Sequence, residues 1–383
     1  MSVAGNELSV DFADPLVAAD AQDVRAFHAE LKKHPELASP DLIADPEFVF
    51  VVENFYRDAA RKVLYALVCK GGKPVSMFPV EIGPEKNLPG EYFSLFRHQT
   101  RLSDVGIACP QDAIEGSLSC ILDAMRQRWP KVAGFSLMGL KTDSPSYAAL
   151  TSLLKDCPRL EREAKLQLYI DLDEFDSIDA YYDSRGRNYK KNFRSARNRL
   201  NKMGGYTYSA DGPDGPWTFE EMARIDALTW RADEKEGETP KMLLQMCERV
   251  SALAASPEKS QLCALAFEGQ AISMYYSLYF GDVKFVFKNT FDPEFSHVSP
   301  SVVAFHHVVE AAIEAGARRM ELMAGNAYAR PWANRERFLS DDVLFFKSAR
   351  GRAAHLAVTG TRALRDIVKG TPATTAKGGS GHE

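Results

Sequence analysis

Phe285-Val286-Phe287-Lys288-Asn289 opens the most telling segment of the chain, which continues through Thr290-Phe291-Asp292-Pro293-Glu294-Phe295-Ser296-His297-Val298-Ser299-Pro300. From Ser301 to about Ala315 the apolar residues recur at helical spacing, and Gly316 follows. The next apolar run, Met320-Glu321-Leu322-Met323, breaks at Ala324-Gly325-Asn326 and leads to Tyr328, Arg330 and Trp332. Aromatic and β-branched residues favour a strand at Phe285. Ser299 suits an N-cap, Pro300 the first helical position and Gly316 the C-terminal stop. A strand–helix–strand unit places helix N-terminal N–H groups beside strand ends, where an anionic ligand can be held. The functional site is expected there.

The unit has a counterpart earlier in the chain. Leu64-Tyr65-Ala66-Leu67-Val68-Cys69-Lys70-Gly71-Gly72 runs into Lys73-Pro74-Val75-Ser76-Met77-Phe78, as Leu262-Cys263-Ala264-Leu265-Ala266-Phe267-Glu268-Gly269-Gln270 runs into Ala271-Ile272-Ser273-Met274-Tyr275. Each reads as a hairpin with a Gly-containing turn. The first continues into a strand near Tyr92–Phe96, a helix near Gln111–Arg128 and a strand near Gly134–Met138. The second continues into the segment above, so a duplicated core is expected.

These residues resemble the GNAT superfamily of acyltransferases, in particular its bacterial CelD-like subgroup. The resemblance is carried by Phe291-Asp292, Ser299-Pro300, Gly316, Glu321, Gly325, Tyr328 and Trp332, and by the basic block Tyr189-Lys190-Lys191-Asn192-Phe193-Arg194-Ser195-Ala196-Arg197-Asn198-Arg199-Leu200 with Trp230 beyond it. It covers roughly residues 165 to 345. Ser301 stands where Gly is usual, Glu321 where Asp is usual and Ala329 where Lys is usual. The CoA-pyrophosphate loop of better-known GNAT enzymes is absent. The resemblance implies an α/β (α+β) protein of two GNAT-like mixed-sheet halves in tandem. Residues 1–165 are expected to form a degenerate half, 166–350 the catalytic half, 351–370 a basic C-terminal helix and 371–383 a disordered tail.

Composition sets bounds. A chain of 383 residues, 45% hydrophobic, is long enough for two domains with a sizeable core. No apolar run approaches the ~20 residues of a membrane-spanning helix. Met1 to Asp20 is acidic and lacks a basic start before an apolar stretch, so no signal peptide is expected. The six cysteines are scattered without Cys-x-x-Cys pairs, as in a reducing cytoplasm. A net charge of −5 argues against a general nucleic-acid binder.

Between residues 184 and 202 stand Arg185, Arg187, Lys190, Lys191, Arg194, Arg197, Arg199 and Lys202, with no acid among them. Tyr189, Phe193, Ala196 and Leu200 form an apolar stripe at helical spacing, which leaves the cations on the remaining surface. That surface can receive phosphates or remain a solvated face. Transfer from a thioester to an amine requires a base for the ammonium proton, donors for the carbonyl and an acid for the leaving thiolate. Asp292 and His297 are candidate bases in the loop before the helix; turn chemistry alone also accounts for Asp292-Pro293. Glu321 is either a base or a structural anchor if buried near Arg330 or Lys288. Tyr328 is the candidate acid, as tyrosines are in many GNAT enzymes. Lys190, Arg194, Arg197, Lys288, Ser299, Ser301 and Arg330 are the candidate substrate- or CoA-binding residues.

His306 falls on an apolar helical stripe and His307 beside it, neither at ligand spacing to a partner, and no metal site is expected. Seven aromatics between Met274 and Phe291 read either as core or as a pocket for an apolar tail. The expected reaction is N-acyl transfer from acyl-CoA, as cosubstrate and with no bound cofactor, to the primary amine of an envelope-related acceptor. That acceptor is a long-chain amino alcohol, as in bacterial ceramide synthases that resemble this subgroup, or an amino sugar. The aromatic strands and the basic C-terminal helix, which can lie on an anionic membrane surface, favour the lipid. The expected location is cytoplasmic or peripheral at the inner membrane, with no nucleic-acid partner. The alternatives are a Fem-type aminoacyltransferase using aminoacyl-tRNA, which also has two GNAT-like halves, and a non-catalytic acyl-CoA-binding protein.

Overall fold

Both expected hairpins form, and their turns have the same chemistry. In the first, Lys70 pairs with Lys73 across Gly71 and Gly72, whose φ values are 56° and 77°. In the second, Phe267 pairs with Gln270 across Glu268 and Gly269, at φ 50° and 78°. Two consecutive positive φ angles match the right-handed twist of the flanking strands. The computed structural model describes residues 8–34, 45–56, 59–96, 107–211, 215–229, 240–253, 260–322 and 329–368.

The first half contains β1 (Leu8–Ala13), α1 (Ala18–Leu31), α2 (Pro46–Tyr56), β2 (Lys62–Lys70), β3 (Lys73–Pro84), β4 (Glu91–Leu95), α3 (Ile114–Arg128), β5 (Gly134–Ser136), α4 (Pro145–Leu153) and β6 (Arg159–Leu160). The second begins with β7 (Lys165–Asp171), α5 (Ile178–Arg185), α6 (Arg187–Lys202), β8 (Thr207–Asp211), α7 (Phe219–Asp226) and α8 (Pro240–Leu253). It continues with β9 (Ser260–Phe267), β10 (Gln270–Phe280), β11 (Val283–Phe291), α9 (Pro300–Glu314), β12 (Arg319–Glu321), β13 (Arg335–Leu339), β14 (Val343–Phe345) and α10 (Ala349–Val368).

Two seven-stranded mixed sheets result, in the orders β1-β2-β3-β4-β5-β14-β6 and β8-β9-β10-β11-β12-β7-β13. Written this way they correspond strand for strand. In each, one parallel pair (β4 with β5, β11 with β12) is bridged by a helix, α3 or α9, and the other pairings are antiparallel. This agreement of order and direction supports the duplicated core.

The sixth place in each sheet is filled out of chain order. β14, which sequence order assigns to the second half, pairs with β5 and β6 in the first sheet. β7, which directly follows β6, enters the second sheet between β12 and β13. Where the chains cross, Ser340 N–H donates to Leu140 O at 2.8 Å and Leu137 N–H to Asp342 O at 2.9 Å. Arg159 pairs with Asp342 at the same place.

Three main apolar clusters follow. One lies between the first sheet and α3 and α4, and one between the second sheet and α5, α6 and α9. The third joins the halves: Phe48, Val49 and Val52 of α2 meet Leu244, Met246 and Val250 of α8, with Phe280 and Phe285 from the second sheet. Among the described residues no helix is long and apolar enough to cross a membrane.

Candidate active site

β11 has two local features that open a gap in the second sheet. It pairs with β12 only over Val283–Phe285 against Arg319–Glu321. Residues 286–291 therefore have no strand on that side among the described residues. On its other side the register passes from Tyr276↔Lys288 to Ser277↔Val286, which leaves Phe287 as a bulged extra residue. A bulge bends the strand and takes one residue's polar groups out of the ladder. Asp292 ends the strand and begins a 3-10 turn over Pro293–Val298, and α9 starts at Pro300.

Asp292 is buried, at 6% exposure, and its Oδ1 accepts the Glu294 N–H at 3.0 Å. Its turn chemistry and its candidacy as a base therefore coexist. His297 is exposed, with Nδ1 3.1 Å from Glu294 O. Ser299 departs from the expected N-cap. It adopts left-handed backbone, φ 55° and ψ 57°, and its hydroxyl caps no helical N–H. Instead Ser299 Oγ accepts from Arg199 Nη2 at 3.3 Å. The 3-10 turn enters α9 at an angle that leaves the serine outside the extended region an N-cap needs. Ser301 is buried, its carbonyl accepting from Tyr275 Oη at 3.1 Å.

α6 packs against α9 and the 3-10 turn. Phe193, Ala196 and Leu200 are buried beneath it, as the helical stripe requires. On its outer side lies an open cleft of about 730 Å³ lined by Lys190, Lys191, Arg194, Asn198, Arg199 and Lys202, with Tyr182 and Asp183 from α5. Lys190 is partly neutralised, for its Nζ lies 2.9 Å from Asp183 and 3.3 Å from Asp179, acids that the preceding helix supplies from outside the basic run. Arg197 lies over the Phe193 ring at 5.4 Å. Lys191, Asn198, Arg199 and Lys202 were not singled out as site residues, although the i, i+4 steps 191–195–199 and 194–198–202 place them on one face.

Two candidates take structural roles instead. Lys288 is buried and donates to Asp226 Oδ2 of α7 at 2.8 Å, which makes it part of an internal ion pair and not a phosphate ligand. Glu321 is fully buried, but its partners are Arg337 and Arg319, not Arg330 or Lys288. Arg337 and Arg319 in turn lie over the Tyr169 ring at 4.2 and 5.7 Å. A carboxylate held by two guanidinium groups in the interior is best suited to anchoring β12 to β13. Arg330 is exposed, and its carbonyl accepts from Arg185. Tyr328, Gly325 and Trp230 lie outside the described residues, as does the tail after Val368.

Six of the seven aromatics fill cores, and Phe291, half-buried at the end of β11, does not. Tyr275 and Tyr279 pack toward α9, and Tyr276, Phe280, Phe285 and Phe287 toward α7 and α8. They therefore give no support to a tail pocket. Beneath α9, Lys284 is fully buried, donates to Gln261 Oε1 at 2.8 Å and lies over the Tyr279 ring at 5.0 Å. Burial pushes its ammonium down to about 8. His306 is buried in a stack with Tyr182 and Phe193, and burial lowers its pKa to about 3, so it is a neutral core histidine.

A parallel pair opened at a bulge, a helix beginning at the opening and a basic helix alongside mark the second half, and the parallel pair with its bridging helix recurs in the first; together they define a tandem GNAT-like fold. Residues 187–332 match the family model described as Acetyltransferase (GNAT) domain. No curated protein matches the chain. Among solved structures it is similar to FemX, with a TM-score of 0.57 and 11% identity over 84% of this chain and 95% of that one. It is also similar to a conserved protein of unknown function from Bacteroides thetaiotaomicron VPI-5482 (TM-score 0.51, 13% identity, 88% of this chain and 100% of that one). L-PGS from Bacillus licheniformis is comparable (TM-score 0.51, 12% identity, 93% and 98%). At these identities the likeness is one of fold.

Proposed function

We propose that the protein is an N-acyltransferase whose second half moves an acyl group from an acyl-CoA thioester to the primary amine of an envelope-related acceptor. The observation that carries this reading is the basic cleft along α6, a helix that packs on the 3-10 turn after β11 and is tied to the start of α9 by the Arg199–Ser299 hydrogen bond. Phosphates of the donor would lie on Lys191, Arg194, Arg199 and Lys202, and the thioester would reach the gap. There the Phe287 bulge offers backbone N–H groups to a developing oxyanion. The amine nitrogen attacks the carbonyl carbon, its proton passes to Asp292 or His297, and the carbon–sulfur bond breaks to release the thiol. Tyr328 remains the proposed proton donor to the leaving sulfur.

Lipid amine and amino sugar both fit as acceptors. The buried aromatics no longer favour the lipid, whereas the 68% exposed Leu356 on α10 is consistent with peripheral contact at an anionic membrane. A second reading, Fem-type aminoacyl transfer, is supported by the FemX-like fold and by more cleft cations than one pyrophosphate needs. Mass spectrometry of lipids and glycans from cells with and without the gene tests the proposal. Loss of one N-acylated amine is expected; loss of an aminoacylated product would favour the second reading, and an unchanged profile would contradict both.

A further inference from the structure

His306, His307 and Glu310 come together midway along α9, on a face the reaction above does not use. Glu310 stands four residues beyond one histidine and three beyond the other, so a single carboxylate can meet both rings. Glu310 Oε2 is 3.0 Å from His307 Nδ1 and 3.9 Å from His306 Nε2. All three donor atoms lie within 4.8 Å of one another. The nitrogen on the far side of each ring is engaged by a tyrosine: His306 Nδ1 by the Tyr182 hydroxyl, and His307 Nε2 by the Tyr206 hydroxyl at 3.4 Å. Ring stacking adds to this restraint, Phe193 on His306 at 3.8 Å and Tyr208 on His307 at 4.6 Å between centroids.

We propose that His306 Nε2, His307 Nδ1 and Glu310 Oε2 form a binding site for one divalent transition-metal cation of the Zn²⁺ class. An imidazole held from behind by an outer hydrogen-bond partner presents the lone pair of its other nitrogen forward, which is how ligating histidines are oriented. Two nitrogens and one carboxylate oxygen suit Zn²⁺ and disfavour Ca²⁺ or Mg²⁺, which take oxygen ligands. Bonds of ~2.0–2.2 Å in tetrahedral geometry put donor atoms about 3.4 Å apart. The observed 3.0 and 3.9 Å separations from the carboxylate bracket that value, and the two ring nitrogens lie within 4.8 Å of each other. The side chains of His307 and Glu310 are 21% and 34% exposed, which gives an ion a path from solvent and leaves a fourth position for water. Through Tyr182 and Tyr206 the bound ion would fasten α9 to α5 and to the segment entering β8. The same contacts without an ion amount to a His–Glu hydrogen bond inside an aromatic stack.

Titration of chelator-treated, full-length, tag-free protein with Zn²⁺ against a chromophoric chelator separates the two. One equivalent is expected to bind. Glu310→Gln and His307→Ala should each weaken binding by at least ~10-fold, and Tyr206→Phe, which alters only an outer partner, by roughly 10-fold. Zn²⁺ should raise the melting temperature of the wild type and leave that of Glu310→Gln unmoved. Glu310→Gln changes a partly exposed side chain, so it remains informative if His307→Ala fails to fold. Unchanged affinity in Glu310→Gln, binding well below one equivalent, or thiolate charge-transfer bands on Co²⁺ substitution (an ion on cysteine) would each overturn the proposal.

Discussion

Asp292 caps the 3-10 turn and is the proposed base, and the two roles separate on substitution. Asparagine keeps an oxygen that can accept the Glu294 N–H and loses only the charge. Asp292→Asn should therefore leave the melting temperature within a degree or two and reduce turnover by ~10²-fold or more if the carboxylate takes the ammonium proton. Turnover that survives in Asp292→Asn but falls in His297→Ala would move the base to the histidine. Lys284 gives a stability signature. Its folded pKa of about 8 lies below the ordinary lysine value of 10.5, so between those limits the unfolded chain binds a proton that the folded one does not. The cost of burying the charge is fully present below pH 8 and is relieved as pH rises toward 10.5. Denaturant unfolding should show wild-type stability rising over that window relative to Lys284→Met; parallel curves would mean that the ammonium is not suppressed. At this scale the sequence was partly legible. Asp292, Arg194 and the Phe193 stripe follow from local pattern. The Lys288–Asp226 pair joins positions 62 residues apart, and the Arg337 partner of Glu321 arrives with a later strand. No local spacing encodes either contact.

α6 is the element on which the proposed donor recognition depends most. Its inner stripe fixes it against α9, so the backbone that carries its outer cations has a set position. Replacing Arg194 and Arg199 together by Ala should raise the KM for acyl-CoA by roughly 3- to 10-fold at low salt, because two exposed charges contribute up to about 1 kcal/mol each. The increase should shrink at high salt as screening grows, while kcat stays near wild type. A KM independent of both residues at low salt would return α6 to the role of a solvated face. The helix itself was legible from its 3.6-residue period. Its acidic neighbours Asp179 and Asp183 were not, because they lie in a separate helix beyond Gly186. Ser299 was misjudged for a related reason: residue type suggests a cap, but the preceding 3-10 turn, invisible to composition, sets its backbone angles.

The whole molecule is two copies of one sheet, the first of which takes its sixth strand from the second stretch of chain. β14 completes the first sheet and β7 the second, and α2 packs on α8 between them. Cut near residue 164, the first stretch of chain lacks β14 of its own sheet, whereas the second holds every strand of its own and β14 besides. Thermal or denaturant unfolding should accordingly be one transition by both near- and far-UV probes; two resolved transitions would contradict this interlocking. The hairpins made the duplication readable, since turn residues and alternation are local signals. The crossing of β14 was not readable, because a three-residue strand such as Val343–Phe345 carries no information about which sheet accepts it. Acyl transfer is proposed to need both the gap at β11 and the cleft on α6. The most direct test incubates purified protein with isotopically labelled acyl-CoA and a panel of long-chain amino alcohols and amino sugars, following thiol release and N-acylated product by mass spectrometry. The account predicts stoichiometric thiol and labelled amide with the wild type, and neither with Asp292→Asn above ~1% of that rate. Acyl-CoA binding without release of thiol to any amine, or label transfer only from aminoacyl-tRNA, would contradict it.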